Sequence, residues 1–243
     1  MSSTEVEGAS VGARPSKGLI APVWHTIVVL LLLSIPIVLG VLRLINESPS
    51  PSQMGPVHPA NLWKLYAQTL IYEWILVGVV WLGIRLKQNK LRELIGGRWP
   101  TIGHALADLI IGAAICVTMF YLGDEIATWL KPANGNTINV LPQDSLEMAL
   151  WVALSVTAGV DEEVVFRGYL QTQFVRFGMP LILAIFAQTF VFAAGHIYEG
   201  LNSVIVITAY GVLLGLLAAG LRSLRPLIIG HVMFDIVAIL RAT

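Results

Sequence analysis

Cysteine is almost missing from this chain. Cys116 is the only one in 243 residues, which excludes an internal disulfide and any metal site built from several cysteines. Charge is scarce too, at 12% of residues, about half the share of an ordinary globular chain. The fifteen basic and fifteen acidic residues cancel, so no field of one sign points to a nucleic-acid partner. The first apolar run, Ile27 to Leu42, ends in Arg43 without a small-x-small pattern and is longer than the core of a usual signal peptide. No internal repeat of the kind many transporters carry is visible.

What the chain does have is apolar surface: 56% hydrophobic residues and a mean hydropathy of +0.76. These values imply an integral membrane protein with the lipid bilayer as its surroundings. The expected fold is an all-α, polytopic bundle of about seven transmembrane helices plus one interfacial amphipathic helix. Spans are expected near 22–42, with Pro36 as a kink, and near 66–86, 102–122, 145–177, 180–197, 201–221 and 226–240. Residues 1–18 read as a polar tail, and 43–62 and 123–144 as connections rich in loop-forming residues. Lys87, Lys90, Arg92 and Arg98 surround Leu91, Leu94 and Ile95, the pattern of a helix lying in the interface, with Trp99 at headgroup level. The domains follow as 1–18 tail, 19–100 N-terminal helices and 101–243 C-terminal bundle. Basic residues after the second, fourth and sixth spans place the N-terminus in the cytoplasm. Gly211-x-x-x-Gly215 and Ala218-Ala219-Gly220 give the sixth span a small-residue face for close helix contact.

The chemistry is concentrated in Val160 to Leu170, where Asp161, Glu162, Glu163 and Arg167 follow an almost wholly apolar flank. Ionisable groups in hydrocarbon are costly and usually line a site or a pathway. On a helix Glu163 and Arg167 are i,i+4 neighbours, while Glu162 points about 100° away with no partner in its own helix. Two further polar groups follow in apolar spans: His196 after Phe192-Ala-Ala-Gly, and His231 with Asp235 on one helical face. Each has a plain structural reading, as an ion pair, a headgroup-level histidine or a hydrogen-bonded core pair. Three stretches of one half-chain carrying costly groups together favour a common site. Carboxylate and imidazole donors of this kind suit a divalent metal such as zinc. His25, His58 and His104, at span ends or in a loop, read as structural.

Glu162-Glu163-x-x-x-Arg167, Phe192-x-x-x-His196 and His231-x-x-x-Asp235, in this order, resemble the CPBP (Abi) family, which includes the Rce-type CAAX prenyl endopeptidases and proteins implicated in bacteriocin self-immunity. The resemblance covers about 145–241. It implies an intramembrane endopeptidase acting on a membrane-associated protein or peptide, in the plasma membrane of a prokaryote. The implied catalytic set is Glu162, Glu163, Arg167, His196, His231 and Asp235. Glu162 would activate water beside His196, and Glu162, His196, His231 and Asp235 would hold a metal or polarise the carbonyl. In the prenyl-protein proteases the last position is typically Asn. An ionised Asp235 cannot donate to an oxyanion but can ligate a cation, which favours metal-assisted hydrolysis, whereas in its neutral form it can donate. The alternative function is a non-proteolytic scaffold or self-immunity protein that binds a partner in the same pocket; a third is a proton-coupled transporter.

One difficulty follows from the expected spans. If 145 and 180 start on opposite faces, Glu162 and His196 fall at opposite depths unless the helix carrying Glu162 runs on to Phe177 or the next helix is short.

Overall fold

The computed structural model describes residues 18–46, 61–130 and 141–242. The expected tail, His58 and the central parts of the two long connections lie outside the described residues. Among the described residues every regular element is a helix and there is no strand, as expected for an all-α fold. The elements are α1 (Val23–Asn46), α2 (Leu62–Leu86), α3 (Leu91–Ile95), α4 (Ile102–Trp129), α5 (Ser145–Glu162), a π-helical segment (Glu163–Leu170), α6 (Gln171–Arg176), α7 (Leu181–Gly195), a 3₁₀ turn (Ile197–Glu199), α8 (Leu201–Leu221) and α9 (Arg225–Ala242).

Four of these helices, α1, α2, α4 and α8, are long and apolar enough to cross a membrane, rather than the expected seven. The shortfall has a physical pattern. Helix α5 contains Glu147, Asp161 and Glu162, α9 contains Arg225, His231, Asp235 and Arg241, and α7 has only 15 residues. The helices that miss the criterion are those that carry the polar groups or are cut short. On the crossing helices large apolar side chains face outward: Trp24, Ile27, Leu31, Ile35 and Leu39 recur every three or four residues along α1 and are exposed. That stripe is a lipid-facing surface.

Other boundaries shift. Helix α4 runs on to Trp129, so Asp124 and Glu125 lie on a helix where a loop was expected. The expected interfacial helix is a single turn, α3, ended by Gly96 at φ +121°, a conformation glycine tolerates. Its Leu91, Leu94 and Ile95 pack against the main core instead of lying free in an interface.

That core joins α1, α2, the π segment and α7 through Val29, Leu76, Val80, Val164, Tyr169, Leu170 and Phe192; a smaller one joins α4, α8 and α9 through Ile115, Met119, Leu214 and Leu227. A buried polar cluster fastens the start of α1 to the segment beyond Glu163. Gln173 Oε1 accepts from Ile20 N, its Nε2 donates to Ala21 O and Thr26 Oγ1, and His25 Nδ1 meets the Tyr169 hydroxyl at 2.8 Å. His25 is thus a structural residue, with Nε2 donating to Val79 O. The small-residue face on α8 meets α7: a Cβ at Gly211 would strike Thr189, and one at Gly215 would strike Ile185.

Candidate active site

The π segment and the shortness of α7 decide the depth of the site. Helix α5, the π segment and α6 run end to end as pieces of 18, 8 and 6 residues, which puts Glu162 near the middle of one long rod. Helix α7, with 15 residues, is about 22 Å long at 1.5 Å per residue, short of a ~30 Å hydrocarbon layer. It ends at His196, and the 3₁₀ turn with Gly200 (φ +96°) then reverses the chain into α8. His196 therefore meets Glu162 part-way along the rod, and the depth conflict disappears. Gly159 brings the third element in: a Cβ there would lie 2.5 Å from Val232 Cγ2, so only glycine lets α5 approach α9 one residue from His231.

All six expected residues come together. The Glu162 carboxylate stands between two rings, with Oε1 3.6 Å from His196 Nε2 and Oε2 3.5 Å from His231 Nε2. Behind each ring is a second carboxylate: His196 Nδ1–H donates to Glu199 Oε1 at 2.8 Å and His231 Nδ1–H to Glu163 Oε1 at 3.0 Å. An ionised carboxylate only accepts, so these bonds place a proton on each Nδ1 and aim each Nε2 at Glu162. Asp235 Oδ2 lies 3.8 Å from His231 Nε2. Glu163 Oε1 also accepts from Arg167 Nη1 at 3.1 Å, with both side chains fully buried. The Arg167 guanidinium sits over the Phe192 ring at 4.4 Å. Phe192 meets the His196 ring edge-on with centroids 5.0 Å apart, and Tyr198 stacks on the same ring at 6.2 Å.

Exposure separates the residues. Glu162, His196 and Asp235 retain 13, 22 and 24% of their side-chain surface, enough to meet a bound molecule, while Arg167 retains none. Burial leaves Arg167 no surface with which to dock a substrate carboxylate; its reach ends at Glu163 and Phe192.

Sequence reasoning missed two carboxylates. Glu199, at i+3 from His196, was legible in His-x-x-Glu. Glu73, in the middle of α2, is 8% exposed, and its Oε2 has no hydrogen-bond partner among the described residues. Its signal was a lone acid in an apolar span. An uncompensated buried carboxylate destabilises the fold, so Glu73→Gln is expected to raise the thermal midpoint by roughly 2–4 °C, the shift for about 1 kcal/mol at this chain length. If Glu73 serves the site, activity falls several-fold in the same variant, the trade between stability and function. A lowered midpoint with full activity would make it a purely structural residue.

Among the described residues no group of three or more His, Cys, Asp and Glu is arranged to hold a metal ion. The donor types suit one, and their present spacing does not close around a point.

In a bundle of apolar helices, a carboxylate held between two oriented imidazoles is an arrangement that can take up and deliver a proton. Residues 144–237, less than half of the chain, match the family model described as Type II CAAX prenyl endopeptidase Rce1-like. The match spans the whole cluster around Glu162, with Glu73 outside it, and supports a general intramembrane endopeptidase role. No curated protein and no solved structure matches the chain.

Proposed function

We propose that the protein hydrolyses a peptide bond of a membrane-associated protein or peptide with water activated by Glu162. The observation that carries this reading is the Glu162 carboxylate between the two Nε2 atoms at 3.5 and 3.6 Å, each ring backed by a second carboxylate. Water beside Glu162 and His196 gives a proton to the Glu162 carboxylate as its oxygen bonds to the scissile carbonyl carbon. The carbonyl oxygen becomes an oxyanion. His231, carrying protons on both nitrogens among Glu162, Glu163 and Asp235, donates Nε2–H to it. As the C–N bond breaks, the proton on Glu162 passes to the leaving nitrogen, and the carboxylate is regenerated. Glu163 positions His231, Arg167 holds Glu163, and Glu199 positions His196.

A second reading, metal assistance, is favoured by one observation: a carboxylate behind each ring is the outer-shell pattern that orients metal-binding histidines. Glu162, His196, His231 and Asp235 would hold the cation, zinc by donor type, and it would lower the pKa of water and polarise the carbonyl. Given the spacing of the donors, the main reading predicts that 1,10-phenanthroline leaves hydrolysis within about twofold, a span inside one kinetic factor of ten. It also predicts that the purified protein carries no stoichiometric zinc. Loss of activity restored by added Zn²⁺ would establish the second reading.

The same reading takes α5 with its π and α6 continuation, α7 and α9 as three further membrane elements, bringing the bundle to seven. The N-terminus would lie in the cytoplasm and the protein in a prokaryotic plasma membrane. The experiment is a peptide-library digestion by the purified full chain in lipid nanodiscs. Cleavage by wild type and none by Glu162→Gln is the expected result, and equal cleavage by both would remove the assignment.

A further inference from the structure

A second polar feature stands apart from this site, at the end of α2. A cleft of about 410 Å³ is lined by Trp81, Arg85, Lys90, Leu91, Arg92 and Ile95. Half of its lining is cationic, half is aromatic or aliphatic, and none is acidic. Glu93 lies nearby and touches Lys90 at 3.5 Å, but that pair is mostly exposed and neutralises little. The Arg85 guanidinium rests over the Trp81 ring at 5.2 Å, which holds it against the helix.

The floor of the cleft is fixed. Leu91 and Ile95 pack into the main core, Leu94 lies against Gly168, and Ile95 O accepts from Leu224 N at 2.9 Å. Trp81 and Arg85 belong to the last turns of a helix that is apolar enough to cross a membrane, so the cleft lies where hydrocarbon gives way to water. Leu82 and Leu86 beside it are about half exposed, so apolar surface continues from the cleft along the helix. A ligand complementary to this shape has an anionic head for three cations and an apolar body for the adjoining helix.

We propose that this cleft binds the headgroup of an anionic phospholipid, its phosphodiester against Arg85, Lys90 and Arg92 and its acyl chains along α2. Guanidinium groups match phosphate oxygens in a two-bond geometry, and basic groups at a membrane edge favour anionic over zwitterionic lipid. Because α3 is docked on the π segment through Gly168, such a lipid would sit against the element that carries Glu163 and Arg167.

The test is native mass spectrometry of the full chain released from mixed micelles containing phosphatidylglycerol or phosphatidylcholine. Wild type is expected to retain phosphatidylglycerol about tenfold more than phosphatidylcholine. Arg85→Gln with Lys90→Gln and Arg92→Gln should abolish that preference, while Lys87→Gln with Arg98→Gln, which alters cations outside the lining, should keep it. Tryptophan-monitored melting checks that the variants fold; if the triple variant does not, Arg92→Gln alone must lower the preference. Undiminished preference in the folded variant would overturn the proposal, as would equal loss with Lys87→Gln and Arg98→Gln. Displacement of the lipid by millimolar inorganic phosphate would likewise refute it, because the cleft would then be reading free phosphate.

Discussion

Glu162→Gln is expected to lower peptide hydrolysis by about a thousandfold, within the 10²–10⁴ range for losing a positioned general base. The substitution keeps the side chain's size and removes its ability to take a proton from water. Glu162 keeps 13% of its side-chain surface and contacts His196 and His231 only at 3.5–3.6 Å, so the bundle should stay folded. Helicity and melting in detergent are therefore expected to match wild type. His196→Ala should cost a similar factor, because Glu199 and the Glu162 carboxylate would then have nothing between them. The double variant should be little worse than either alone, since groups acting in one step are not additive. Multiplying losses would show that the two residues act in separate steps.

Arg167→Ala is the substitution expected to damage the fold most. Glu163 and Arg167 are both fully buried and 3.1 Å apart, and removing Arg167 leaves the buried Glu163 carboxylate with only the His231 Nδ1–H as a partner. Breaking a buried pair in this way typically costs about 3–5 kcal/mol. The loss of the guanidinium over Phe192 adds to it. Replacing both members, Glu163→Gln with Arg167→Met, should restore most of the melting temperature, because no charge is then stranded. It should not restore hydrolysis, since Glu163 also holds His231 Nδ1 at 3.0 Å and sets which nitrogen faces Glu162. A melting temperature unchanged in Arg167→Ala would show that the pair contributes little to the fold.

The parts of the site that were legible in the sequence share a cause. Glu162, Glu163, Arg167, His196, His231 and Asp235 stand in apolar stretches, where an ionisable side chain is conspicuous because it is expensive. Glu199 lies in the short turn after α7, outside the apolar helices, and only its i+3 spacing from His196 marks it. Glu73 was passed over because a single acid carries no spacing. The depth of the site was illegible for a different reason. It depends on the π segment and on where α7 stops, and both are backbone outcomes of packing rather than of side-chain period. The count of spans divides along the same line: α1, α2, α4 and α8 meet the length and hydropathy that a crossing needs, whereas α5, α7 and α9 carry acids, basic ends or too few residues to meet them by composition alone. Gly159 could not be read as special, since what makes it so is Val232 on another helix.

The central claim, that Glu162 delivers water to a peptide carbonyl inside the bundle, is tested most directly by isotope. Membranes carrying wild type or Glu162→Gln are incubated in H₂¹⁸O, and new peptide C-termini are profiled by mass spectrometry. The account predicts at least one membrane-protein fragment whose new carboxyl group contains ¹⁸O with wild type and is missing with Glu162→Gln. The same labelled fragments at the same abundance in both samples would contradict it.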